Sequence, residues 1–208
     1  MLTLFIDFKS PASFLALKPA LALIKSYELA VEWLPFAVKQ PTIPANRMDD
    51  APNGKFNNAA RETKGETHRR VRAHQRQQMH KMYAELSNTE MHFPTQATNT
   101  DLALNVLANL TVEPTAFITR AFGAYWVEQR DLNDATVVEQ LVREAGLPFT
   151  PELLLPTATE ACLDKAGHIG VFEVPAFVLQ GQVFIGREHI PWLTEIAASL
   201  KSGVNTPK

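Results

Sequence analysis

The run Gly170-Val171-Phe172-Glu173-Val174-Pro175-Ala176-Phe177-Val178-Leu179-Gln180-Gly181-Gln182-Val183-Phe184-Ile185-Gly186 constrains the fold more than any other stretch of the chain. Two short β-rich segments flank a Gln-Gly pair, which predicts a hairpin whose first strand opens on a Val-Pro bond. Proline has no N–H to give to a ladder, so it is confined to strand starts, edges and bulges. An X-Pro bond at the start of a strand is also where a cis peptide is expected. Such bonds are uncommon enough that they usually serve a purpose.

A complementary pattern opens the chain. Leu2 to Phe8 reads as a buried strand, and Ser10-Pro11 followed by Phe14, Leu15, Leu17, Leu21 and Ile24 reads as a helix start with an apolar stripe. Serine at the N-cap and proline at the first helical position are favoured there. Leu29 to Trp33 predicts a second strand. Strand, Ser10-Pro11-Ala12-Ser13, helix, strand and a distant hairpin led by Val-Pro is the order of a thioredoxin-like domain. The first helix of such a domain begins beside the cis-proline loop. Where a thioredoxin carries Cys-x-x-Cys, both cysteines are serines here.

Phe8-Lys9-Ser10-Pro11, the stretch Phe172 to Phe177, and Gly186-Arg187-Glu188-His189 resemble the DsbA-related branch containing kappa-class glutathione transferases and 2-hydroxychromene-2-carboxylate isomerases. The resemblance runs over essentially the whole chain. It implies an α/β, thioredoxin-like fold with a large all-helical insertion. Residues 1–40 and 155–208 would form a discontinuous thioredoxin-like domain, and 41–154 a helical insertion subdomain with an N-terminal loop. It further implies reduced glutathione as cofactor, a small-molecule substrate and a homodimer.

The resemblance also assigns roles. Ser10 is the expected catalytic residue, donating its hydroxyl to the glutathione sulfur at a helix N-terminus, where both influences lower a thiol pKa. The backbone at Val174 and Pro175 would pair with the extended tripeptide as a sheet edge pairs with a strand. Glu188 and His189 stand where the family has an Asp-Arg pair that holds the γ-glutamyl group. A glutamate still receives an ammonium, whereas a mostly neutral histidine replaces a permanently charged fork. Glu173 stands where the family normally has glycine, and a carboxylate there opposes a thiolate. The family loop supplying an asparagine and lysines maps near Asn46, Asn53, Lys55, Asn57 and Lys64, with no choice among them.

With 208 residues, 46% hydrophobic and 20% charged, the chain can bury one good core. A net charge of −2 gives no overall reason to expect nucleic acid. No apolar run is long enough to span a bilayer, and the start reads as a strand rather than a leader, so the expected compartment is the cytoplasm. The single cysteine, Cys162, rules out dithiol chemistry within one chain and reads as a small apolar residue. It follows Thr157-Ala158-Thr159-Glu160, which has the form of a capping box.

Helices are predicted over Arg61 to Leu86, Thr98 to Leu110, from Pro114 through Trp126, and Asp134 to Ala145. The first carries Arg61, Lys64, His68, Arg69, Arg70, Arg72, His74, Arg76, His80 and Lys81, a solvated basic face or a means of steering anions. His68, His74 and His80 are six apart and do not share a face, so no metal site is expected. Phe122, Tyr125 and Trp126 read as core rather than as a substrate wall. Two function classes stay open. One is a glutathione-dependent enzyme, either an isomerase acting on a conjugated aromatic carbonyl, which the short Ser-Pro form favours, or a kappa-class-like transferase. The other is a redox-inactive thioredoxin-like binding protein lacking Cys-x-x-Cys.

Overall fold

The opening strand is apolar on both faces, so it has to be covered on both, and the rest of the chain folds around it. The computed structural model describes residues 1–38, 64–94 and 99–202. The element order is β1 (Leu2–Ile6), α1 (Pro11–Tyr27), β2 (Val31–Pro35), α2 (Lys64–Leu86), α3 (Asp101–Asn109), α4 (Thr115–Trp126), α5 (Ala135–Glu144), α6 (Thr157–His168), β3 (Ala176–Leu179), β4 (Gln182–Ile185) and α7 (Ile190–Lys201). Short 3-10 turns occupy Pro151–Leu154 and Arg187–His189.

The sheet order is β2-β1-β3-β4. β1 runs parallel to β2, with Leu4 opposite Trp33, and antiparallel to β3, with Leu4 opposite Phe177. β3 and β4 form the expected hairpin, shorter than the apolar run that predicted it. Its turn residues Gln180 and Gly181 have φ of 54° and 75°. Both are left-handed, as a two-residue type I′ turn requires.

Alternation along β1 splits its side chains between two layers. Leu2, Leu4 and Ile6 enter a large cluster with Leu17, Leu23, Leu104, Phe117, Phe122, Trp126, Leu141 and Leu193, drawn from α1, α3, α4, α5 and α7. Phe5 points the other way, against Ala166 of α6 and Val171, Val174 and Ala176. Phe122, Tyr125 and Trp126 are all buried core residues.

Two helix starts show how local and tertiary demands differ. Asp134, where the expected helix begins, caps α5, accepting from Thr136 N at 2.7 Å and Val137 N at 3.3 Å. The capping box expected at Thr157 does not form. α6 begins at Thr157 itself, with Pro156 in the cap position and no side-chain cap bond. The Thr159 hydroxyl, which is at neither capping position of that box, points inward and donates to Asn105 Oδ1 of α3 at 2.7 Å, a buried bond between two side chains. No described helix is long and apolar enough to cross a membrane.

Candidate active site

The site forms where α1 begins. Ser10 is its N-cap, with extended backbone (φ −83°, ψ 114°), and Pro11 fills the first turn. Ser10 Oγ accepts from Ser13 N at 3.2 Å, satisfying one of the free N–H groups of the first turn. The same hydroxyl donates to Val174 O at 3.3 Å, joining residues far apart in sequence. The Val174-Pro175 peptide is cis. The helix N-terminus and the proline loop therefore meet through one buried hydroxyl. Beside it, the Ser13 hydroxyl is buried with no hydrogen-bond partner among the described residues.

Behind Ser10 lies a charged knot that the sequence reading did not single out. Asp7 is fully buried at the end of β1. Its Oδ1 accepts from Lys9 N at 3.1 Å and from Thr100 Oγ1 at 2.9 Å, and Oδ2 accepts from Val38 N at 2.7 Å. Lys9 Nζ, itself buried, lies 3.5 Å from Oδ2. The Asp7 carbonyl accepts from Ser10 N at 3.0 Å. Burial pushes the Asp7 carboxyl above its ordinary range, against the pull of the Lys9 ammonium and the donors from Val38, Lys9 and Thr100. The knot fixes residues 7–10 to the chain beyond β2 and to the start of α3. The available sign was an acid inside an otherwise apolar strand run.

The remaining expected residues lie on the far side of Pro175. Gly186 N donates to Pro175 O at 2.8 Å, which brings the turn carrying residues 187–189 up to the proline. Gly186 has φ 102°, and a Cβ there would run into the Glu188 carboxylate folded over it. Glu188 is exposed, and the His189 ring lies 6.1 Å from that of Phe184. Ser10, Val174 and Pro175 thus meet directly. Glu188 and His189 join them only through the backbone. Asn46, Asn53, Lys55 and Asn57 lie outside the described residues, and Lys64 opens α2.

Arg76 of α2 reaches the same loop, its Nη1 3.3 Å from Glu173 Oε1. A cavity of about 780 Å³, lined by Lys81, Ala84, Glu85 and residues 88–93, lies at the C-terminal end of α2 and does not include Ser10. Cys162 sits on α6, and burial raises its thiol pKa, more than Lys165 lowers it. It is half-buried, and the Lys165 ammonium does not offset the burial that disfavours a thiolate. Among the described residues, no three of His, Cys, Asp and Glu gather as metal ligands.

The chain is similar in structure to a 2-hydroxychromene-2-carboxylate isomerase, at 18% identity and TM-score 0.73 over 99% of each chain. It is also similar to a probable DsbA oxidoreductase of Streptomyces coelicolor, at 17% identity and TM-score 0.68 over 100% of this chain and 92% of that one. A third likeness is to the cytosolic disulfide reductase DsbM of Pseudomonas aeruginosa, solved with GSH, at 17% identity and TM-score 0.62 over 98% of each chain. No curated protein matches by sequence. The family of DSBA-like thioredoxin domains matches residues 1–196. With that match, the four-stranded sheet and the cis-proline facing the start of α1, the chain belongs to the DSBA-like thioredoxin family.

Proposed function

We propose that the protein is a glutathione-dependent isomerase acting on a conjugated aromatic carbonyl compound. The observation that carries this reading is the Ser10 hydroxyl, held between the N-terminus of α1 and Val174 O, with the unpartnered Ser13 hydroxyl beside it. Two hydroxyls where relatives of this fold keep thiols leave the chain without a redox couple of its own, and they suit a thiol brought by a ligand. Reduced glutathione, when bound, supplies a sulfur nucleophile that adds to the conjugated system and is expelled again, so that a double bond can turn in between. A transferase would use the same residues and release the adduct.

The chain's own residues have separable tasks. Ser10 Oγ turns its hydrogen from Val174 O to the sulfur, an exchange eased by the length of its present 3.3 Å bond. The free N–H groups and dipole of α1 add positive potential at the same point. The Val174 backbone offers an edge to the cysteinyl segment. Glu188, exposed and unburdened by an ion pair among the described residues, can take the ammonium. Asp7 and Lys9 hold Ser10 in place from behind.

Calorimetric titration with reduced glutathione, beside a Ser10→Ala variant whose fold is checked by circular dichroism, tests the reading. Millimolar or tighter binding is expected, with a thiolate ultraviolet signal that drops in the variant. Absence of heat in the wild-type protein would refute it and turn attention to peptide partners of the proline edge.

A further inference from the structure

Helix α2 packs by one narrow face and leaves an apolar face uncovered. Ala73, Gln77 and His80 are half-buried and Ala84 is buried, at spacings of four, three and four that keep them on one side of the helix. Val71, Met79, Met82 and Leu86 are 43%, 41%, 49% and 77% exposed. Val71 and Met82 precede Ala73 and Ala84 of the packed face by two residues each, which is about 200° of helical rotation. The stripe therefore points away from the body of the protein. A helix with one face in water carries charged and polar residues on that side, whereas here four large apolar side chains take it.

Charge is sorted along the helix beside this stripe. Arg72, His74 and Arg76 lie in its N-terminal half, the last turn holds Glu85 and no basic residue, and Glu90 follows in the next segment. Neither Arg72 nor Glu85 has an ion-pair partner among the described residues. Lys81 turns its ammonium onto the Phe93 ring, 5.7 Å from the centroid. Glu85 and Glu90 both border the cavity of about 780 Å³ at this end of the helix. Cations near the start and an acid in the last turn reinforce the helix dipole, where an isolated helix is stabilised by the reverse. An anionic lipid surface would attract the basic half and repel Glu85 and Glu90. An antiparallel copy of the same helix offsets both ends.

We propose that α2 is the seam between two copies of this chain, whose stripes from Val71 to Leu86 pair antiparallel about a two-fold axis at Gln78 and Met79. Residues 71 and 86 are symmetric about the point between 78 and 79, so this register overlaps the two stripes in full and sets Val71 of each copy beside Leu86 of the other. It also sets the basic half of each helix alongside the Glu85 and Glu90 end of its partner. A two-fold contact joins the same patch on both copies, and a helix that is basic at one end and acidic at the other complements itself only in the antiparallel sense. The pairing is independent of the chemistry proposed for Ser10.

Sedimentation equilibrium of the full chain is expected to give the mass of two chains. Met82→Lys, at an exposed position, puts a charge from each copy into the seam and should weaken the dimer at least about tenfold, with the circular dichroism unchanged. Cross-linking reads the register. In a Cys162→Ala background treated with diamide, Gln78→Cys should give a disulfide-linked dimer, because the two copies of residue 78 meet at the axis. Leu86→Cys should not, since its two copies stand about 22 Å apart along the helices. A monomer, a dimer indifferent to Met82→Lys, or cross-linking through Leu86→Cys in place of Gln78→Cys would each overturn the proposal. Binding of a monomeric chain to phosphatidylserine vesicles, lost in Met82→Lys, would overturn it too and assign the stripe to a lipid surface.

Discussion

The Ser10 hydroxyl has one hydrogen and two neighbours, and its present use is structural: it accepts from Ser13 N and donates to Val174 O. Ser10→Ala should therefore lose stability as well as ligand chemistry. The loss of a cap of this kind costs about 1 kcal/mol, read as a lower urea midpoint, and Ser10→Thr should recover most of it. An unchanged midpoint in Ser10→Ala would mean the cap contributes nothing. Asp7 makes a prediction of a different kind. Burial raises its carboxyl above the unfolded value of about 4. A raised acid contributes stability that is full below the unfolded value and fades as pH climbs through the folded one. Relative to Asp7→Asn, which does not titrate, the wild-type protein should lose stability from about pH 4 upward, measured by urea unfolding at stepped pH. A wild-type advantage that grows with pH would mean that Lys9 and the three neutral donors outweigh burial.

At the level of elements, backbone signs sit at connections. Glu28 closes α1 in the left-handed region, φ 53° and ψ 41°, with its N–H bonded to Ile24 O. A side chain there costs energy that glycine avoids, so Glu28→Gly should stabilise the protein by about 1 kcal/mol, seen as a raised urea midpoint. Gly181→Ala, at φ 75° in the hairpin turn, should do the opposite by about 1 kcal/mol or more, without altering ligand binding. These connections also explain what the sequence disclosed. Ser10-Pro11, Val174-Pro175 and Gln180-Gly181 carry their geometry in their own residue types, so the cap, the cis bond and the turn were all readable in advance. Thr157 to Glu160 had an equally good local signature, yet the helix starts one residue early, with Pro156 in the cap position, so Thr157 lies inside it and no box forms. Asp7's partners Val38 and Thr100, and Glu173's partner Arg76, come from distant segments whose direction no local pattern specifies, so those parts of the site became visible only in three dimensions.

In the whole molecule, the helical layer and the sheet share one interior. Phe8, just before Ser10, has its ring 5.9 Å from Phe117 and 5.1 Å from Phe122, while its carbonyl accepts from Trp126 Nε1 at 2.9 Å. Phe14 of α1 stacks on Trp126 at 5.9 Å. α4 is thereby welded to the loop that carries the candidate site. Trp126→Phe would keep the ring packing but leave a buried carbonyl without its donor, at a cost of about 1–3 kcal/mol. The damage should reach the site, because that carbonyl precedes Lys9 and Ser10. The same continuity governs how the protein comes apart. Leu104, Phe122 and Leu141, on three helices between β2 and the C-terminal hairpin, pack in one cluster with Leu2, Leu4 and Leu193. A helical layer without a core of its own cannot unfold first and leave the sheet intact, since β1 would then expose a face that water does not tolerate. Urea unfolding followed by far-ultraviolet circular dichroism and by tryptophan fluorescence should give superimposable single transitions, and Trp126→Phe should shift both together. Two separated transitions, with Trp126→Phe moving only one of them, would show that the helices between β2 and β3 hold together on their own and that the site is built on a movable seam.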